Sequence, residues 1–404
     1  MLLAPVLLLS CQFWIAHSAG VLPKISSTID PNTALVIFGT RHGNRNPYRF
    51  LPQTPQTWGF EGSNELTNIG KRQSYGLGSE LRKFIGNLTS KNYNASEVVY
   101  YSSPANRCQM TLQVLTAGLH PPETWAEWNK PVFENWSPVP YTINDAMLRM
   151  YSVSECKKNA VVWKSIDNEE QPQLKQLLTE KAPLLAYFEK NTGWNMSNLL
   201  NAQTLADNVL EMCLHNAPLP DWITAPTANL TSQELLAEIM SFSEAHEVAC
   251  ANYPPCRDLM AGYWLSDILS KLNTANKQSE VKLVGYSSHS QATLSIMKLL
   301  GMNKNEVRTS AGFVIEFRKV PYPSVRLLNH DPNPIDTHVI YPATLVDSLK
   351  AYQDADGFIN LATFSNYIRP FAKANWKSVC GITPYASPHI TNIQTIFLNT
   401  TIFS

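Results

Sequence analysis

The sequence predicts an α/β protein, a sheet with helices on its faces, because one pattern occurs three times: an apolar run, a polar turn, then a helical period. Ala34 to Phe38 is the first run; it ends in the loop Arg41 to Pro47. A helical stretch over Thr67 to Ile85 follows, in which Leu66, Ile69, Leu77, Leu81 and Phe84 keep helix spacing. Val98 to Tyr101 is the second run, followed by the turn Ser102 to Asn106 and a helix over Arg107 to Leu119. Val281 to Tyr286 is the third, followed by Ser287 to Ser290 and a helix over Ala292 to Leu300 that Gly301 closes.

Ligands of such sheets gather at the carboxyl ends of the strands. Just past the three strand ends stand Arg41, His42, Arg45, Arg107 and His289, distant in sequence but brought to one edge by this topology. Between residues 121 and 255 the texture changes to prolines, tryptophans and a helical stretch over Leu174 to Phe188, which reads as a mainly helical insertion or cap. The sheet resumes with Val281 and continues through Phe313 to Phe317 and Val325 to Leu328. The expected organisation is a signal segment at 1–18, an α/β core at 19–120 and 256–404, and the helical insertion at 121–255.

Lys+Arg and Asp+Glu are both 32, so net charge is zero, and no block of like charge suggests a nucleic-acid partner. Met1 to Ser18 carries no charged side chain, includes the apolar run Leu2 to Leu9, and has Ala16 and Ser18 where a signal peptidase reads. No later segment has the roughly 18 to 20 apolar residues of a membrane span. The expectation is a soluble secreted protein that does not act on a membrane. Sequons at Asn87, Asn94, Asn195, Asn229 and Asn399 agree with export, while the one at Asn135 precedes Pro138 and is weaker. Besides Cys11, six cysteines remain, Cys108, Cys156, Cys213, Cys250, Cys256 and Cys380, an even number that suggests disulfides of open connectivity. No metal and no cofactor is called for, since neither Cys-x-x-Cys nor His-x-x-x-His occurs near them.

The chemistry concentrates in Arg41-His42-Gly43-Asn44-Arg45-Asn46-Pro47. Arg-His-Gly-x-Arg-x-Pro arises by chance in about one chain of this length in 10⁴. A phosphate dianion suits planar, permanently charged guanidinium forks. A neutral imidazole attacks phosphorus, and cationic neighbours keep it neutral in acid. Gly43 allows close approach of backbone and phosphate.

On these residues the chain resembles the histidine acid phosphatases, especially the venom acid phosphatases of insects, from about Ala34 to about Cys380. The family's Arg-His-Gly-x-Arg-x-Pro is Arg41 to Pro47. Its Leu-Thr-x-x-Gly-x-x-Gln is Leu66 to Gln73, its third phosphate-binding arginine matches Arg107 after Ser102-Ser103, and its Leu-Pro-x-Trp is Leu219 to Trp222. The resemblance implies a phosphoglycerate-mutase-like sheet with helices on both faces. It also implies attack by His42 on a small-molecule phosphate monoester, a phosphohistidine hydrolysed by water, and Arg41, Arg45, Arg107 and His289 around the phosphoryl oxygens. It further implies a Cys156–Cys380 disulfide; Cys213 matches a family cysteine whose partner position, near Ala311, holds none.

The departure is at His289-Ser290, where the family has His-Asp and the Asp protonates the leaving alcohol. A serine hydroxyl is too weak an acid for that task, so weakened turnover of poor leaving groups is expected. His330-Asp331 is a literal His-Asp but reads as a turn after the strand ending at Leu328. His215, His246, His338 and His389 match no phosphate motif and read as surface or core. Two rivals remain open: an inositol-phosphate phosphatase, and a secreted pseudoenzyme that binds phosphate without turnover. Nothing in the sequence sets the oligomeric state.

Overall fold

The computed structural model describes residues 22–52, 58–129, 136–227 and 229–382. The signal segment, Asn135, His389 and Asn399 lie outside the described residues. The main elements run β1 (Thr33–Arg41), α1 (Asn68–Ile85), β2 (Val98–Ser102), α2 (Asn106–Leu119) and β3 (Thr142–Ile143). A helical region follows: α3 (Lys157–Asp167), α4 (Pro172–Glu180), α5 (Ala182–Thr192), α6 (Leu199–Leu214), α7 (Ser232–Ser241), α8 (Ala245–Asn252) and α9 (Pro254–Lys277). The sheet then resumes with β4 (Leu283–Ser288), α10 (Ser290–Leu299), β5 (Gly312–Arg318), β6 (Ser324–Pro332), β7 (His338–Pro342) and β8 (Ile359–Asn360).

The strands form one mixed sheet in the order β3-β2-β4-β1-β5-β6-β7, with β8 on β6. β1, β2, β3 and β4 are mutually parallel, whereas β5 runs antiparallel to β1. Leu35 and Ile37 face one core with Trp264, Leu265 and Ile268 of α9, while Val36 and Phe38 face another with Leu77 and Leu81 of α1 and Leu112 and Leu115 of α2. The strict alternation of a strand therefore buries β1 on both faces, and this is why its sequence is an unbroken apolar run.

A third core lies among the helices, around Leu199, Leu205, Phe188 and Phe242. Helix α9 joins it to the sheet: Cys256, Leu259 and Met260 pack among the helices, and Ala261, Trp264 and Ile268 pack on the sheet. Disulfides connect Cys156 to Cys380 and Cys250 to Cys256, and Cys108 is a buried free thiol. Asn87, Asn94, Asn195 and Asn229 are all exposed. Among the described residues no helix is long and apolar enough to cross a membrane.

Two readings of the sequence are corrected. The stretch Leu174 to Phe188 is two helices, because Pro183 cannot donate to the preceding turn and the helix must restart there. His330-Asp331 is no turn: both residues lie inside β6, paired with β5 and β7. The strand tolerates the buried Asp331 because Lys304 Nζ reaches it at 2.5 Å, Arg308 at 3.4 Å and the Tyr341 hydroxyl at 2.7 Å. His330 faces inward, its Nε2 3.1 Å from the Gly39 carbonyl.

Candidate active site

The parallel register explains why distant residues meet. Arg41 is opposite Ser288, Thr40 opposite Ser287, and Ser287 in turn opposite Ser102, so β1, β4 and β2 end at one level. The backbone steps past this edge at His42, Ser103 and His289. Their amides stay tied to the sheet: His42 N–H donates to the Ser288 carbonyl at 2.9 Å, and Ser103 N–H to that of Ser287 at 3.1 Å.

The loop after β1 is locked by the start of α1. Thr67 caps that helix, its hydroxyl accepting from Gly70 N–H at 3.1 Å. Thr67 N–H donates to the Asn44 carbonyl at 3.0 Å, and Asn44 N–H donates to Gln73 Oε1 at 2.9 Å. A β-carbon on Gly43 would sit 2.5 Å from the Gly70 carbonyl oxygen, and one on Gly70 would run into the Asn44 carbonyl. The Gly43 of the first motif and the Thr67, Gly70 and Gln73 of the second thus form one packed unit. The room Gly43 leaves is filled by backbone of α1.

His42 is 2% exposed. Its Nδ1 lies 2.9 Å from the Gly43 carbonyl, which can only accept, so Nδ1 carries the proton and Nε2 presents a lone pair. Burial, then the charges of Arg107 and Arg41, then His289 and Arg45, hold its pKa well below the usual histidine value. His289 packs against it, ring centroids 5.4 Å apart and nearly perpendicular. Arg107 Nη2 lies 3.2 Å from His289 Nδ1; a guanidinium can only donate, so Nδ1 accepts and Nε2–H donates to Ser103 Oγ at 2.8 Å. Burial and the arginines likewise keep His289 neutral in mild acid. Ser290 opens α10 and is buried.

The three arginines differ in their partners. Arg41 Nη1 donates to the Val307 carbonyl at 2.8 Å, and its Nη2 is paired with Glu244. Arg45 is held by Asp207 at 2.9 Å. Among the described residues no carboxylate pairs with Arg107, whose Nε is buried without a hydrogen bond. Burial, with the nearby Arg45 and Arg41, lowers its pKa.

Glu244 and Asp207 were not foreseen from the sequence. Asp207 lies on α6, one turn before Glu211, which accepts from Asn44 Nδ2 at 2.5 Å. Glu244 immediately precedes α8 and has a left-handed backbone, φ 59°. No motif marks them, because they reach the strand edge from the helical region. The other histidines do not join the site: His246 pairs with Glu169 at 3.0 Å, His215 stacks on Trp58, and His338 is buried near His330.

A neutral imidazole with a free Nε2, facing guanidiniums on a buried strand edge, is built to meet a tetrahedral oxyanion. Residues 34–323 match the family described as the histidine phosphatase superfamily (branch 2). The chain belongs to that superfamily. It is 26% identical to the lysosomal acid phosphatase of Xenopus laevis over 268 residues, 64% of this chain and 59% of that one. It is 26% identical to the prostatic acid phosphatase of Mus musculus over 287 residues, 67% of this chain and 72% of that one. Among solved structures, the apo phytase of Hafnia alvei superposes with TM-score 0.63 at 14% identity, covering 87% of this chain and 99% of that one. The phytase of Citrobacter braakii gives TM-score 0.62 at 14% identity, covering 87% of this chain and 100% of that one. Both show that this histidine phosphatase shares their fold.

Proposed function

We propose that this chain is a secreted acid phosphatase that hydrolyses phosphate monoesters through a phosphohistidine at His42. The observation that carries the reading is the hydrogen bond from His42 Nδ1 to the Gly43 carbonyl, which leaves Nε2 unprotonated on a ring that feels the charges of Arg107, Arg41 and Arg45. The Nε2 lone pair forms the bond to phosphorus while the ester oxygen leaves. Arg107 and the two arginines of the motif balance the charge on the equatorial oxygens, and His289 orients Arg107. Water then takes the phosphoryl group from His42.

The likeness to lysosomal and prostatic acid phosphatases supports action outside the cytosol. The exposed sequons and the Cys156–Cys380 bridge fit the same reading. Ser290 brings no carboxylic acid to the leaving oxygen, so on Ser290 alone the site favours aryl esters over alkyl esters. An inositol polyphosphate is the poorer substrate class: Asp207 and Glu247 stand near Arg45 and repel a ligand carrying many phosphates.

The test is to mix the protein with an aryl phosphate, quench rapidly into alkali, and map the trapped phosphate. It is expected on His42 and absent in His42→Ala, which also loses turnover. A phosphate trapped on another residue, or wild-type turnover in His42→Ala, removes the assignment.

A further inference from the structure

We propose that Glu244 is the acid of this site, donating to the leaving oxygen the proton that Ser290 cannot supply. The proposal rests on the reading of His42 as nucleophile.

The first ground is position. Of the two terminal nitrogens of Arg41, Nη1 is committed to the Val307 carbonyl, and Nη2, the one open to a ligand, is held by Glu244. A phosphoryl oxygen taking that nitrogen pushes the carboxyl aside by about one ligand's width and leaves it against the ester. His42 and Arg41 come from the sheet edge, whereas Glu244 comes from the helices facing it. A nucleophile attacking from the sheet side expels its leaving group toward the helical side, where Glu244 stands.

The second ground is the backbone. Glu244 is not glycine, yet φ is 59°, a left-handed conformation that persists where the surroundings hold it. In this conformation the side chain is paired with Arg41.

The third ground is charge. Burial acts first on Glu244; Arg41 and Arg45 favour its ionised form, while Glu247 on α8 and Asp207 on α6 oppose it. The balance raises its pKa to about 7. In mild acid the carboxyl therefore holds a proton, and it is acidic enough to give that proton to an alkoxide. Its side chain remains 19% exposed, enough to meet a substrate.

The Nε2 lone pair bonds to phosphorus, the P–O bond breaks, and its electron pair takes the Glu244 proton, releasing the alcohol and leaving a carboxylate. In the second half the carboxylate takes a proton from the attacking water as its oxygen bonds to phosphorus. The P–N electron pair returns to Nε2, and Glu244 is protonated again.

Glu244→Gln retains the shape and an acceptor for Arg41 but has no proton to give. The full chain is assayed on an aryl and an alkyl phosphate between about pH 5 and pH 8, with sulfate inhibition as the measure of an intact anion site. The expected result is a loss of about 10² to 10⁴ on the alkyl ester and a far smaller one on the aryl ester. The fall of the wild-type alkyl rate as pH rises through about 7 should also vanish. Equal losses on both esters, an unchanged alkyl rate, or a surviving fall would reduce Glu244 to a counter-ion of Arg41 and overturn the proposal while the phosphatase reading stands. A wild type inert toward both esters, yet shown by direct titration to bind sulfate, overturns both. Should the variant not fold, wild type alone decides: its dependence of rate on leaving-group pKa must steepen as pH rises past about 7, and a constant slope refutes the role.

Discussion

Arg107 is a half-buried cation with no carboxylate partner among the described residues, and this gives its replacement two opposite consequences. Arg41 has Glu244 and Arg45 has Asp207, but among the described residues the side chain of Arg107 is met by His289 at 3.2 Å and by no carboxylate. In the empty site this is unfavourable, since a desolvated charge is offset only by a partner and full hydrogen bonding. With phosphate present it is the arginine that need not release a carboxylate first. Arg107→Met should therefore weaken phosphate and at the same time stabilise the unliganded fold.

Each charge-assisted contact contributes about 1.5 to 3 kcal/mol, so losing one raises the inhibition constant for phosphate by about 10- to 100-fold. Removing a partly desolvated charge that has no counter-ion relieves its desolvation cost, so the unliganded fold gains stability. The assay pairs competitive inhibition by phosphate with urea unfolding in its absence. Arg41→Met is the contrasting control in alkali, because it removes the cation that favours the ionised form of Glu244 and should destabilise. If Arg107→Met binds phosphate as tightly as wild type, or unfolds at lower urea without phosphate, the picture of an uncompensated anion-binding cation is wrong.

Three further outcomes follow from the geometry. His42 and His289 have pKa values held well below 6.5, so the unfolded chain takes up protons there first, and each histidine makes stability fall as pH drops below about 6.5, by up to about 1.4 kcal/mol per unit; ring resonances that titrate near 6.5 in the folded protein would refute this. Gly70→Ala drives a β-carbon into the Asn44 carbonyl and the Leu66 side chain and should cost about 1 to 3 kcal/mol or more, whereas an unchanged urea midpoint would show that α1 does not lock the loop. In a Glu244→Gln background, Ser290→Asp should raise alkyl ester hydrolysis by restoring an acid beside His289, and no gain would separate position 290 from the leaving oxygen.

What was legible in the sequence was local. β1 could be read because a strand buried on both faces must be apolar throughout, and α1 because Thr67 caps a helix with regular apolar spacing. His330-Asp331 was misread because Pro332-Asn333-Pro334 resembles a turn. The hairpin bends only after Pro332, and Asp331 stays in the strand because Lys304, Arg308 and Tyr341 satisfy it. None of those three partners is near it in a way a pattern can show. The same holds for the break at Pro183, which a continuous apolar period hides.

The arginines and histidines of the site were legible for a related reason: each sits within a residue or a few of a strand end, and parallel strands bring their ends together by register alone. The carboxylates obey no such rule. Asp207 and Glu244 reach Arg45 and Arg41 only through the packing of α6 and α8, so the sequence showed three cations and an unassisted leaving group, while the folded site holds cations already partly neutralised. That difference changes the chemistry. A site of bare arginines would bind phosphate at any pH and hold its product tightly. With Glu244 on Arg41, an incoming phosphate competes with a carboxylate above about pH 7 and meets a neutral carboxyl below it, so binding is coupled to proton uptake. The proton taken up on binding is the one the leaving oxygen needs, and acidity both opens the anion site and arms it.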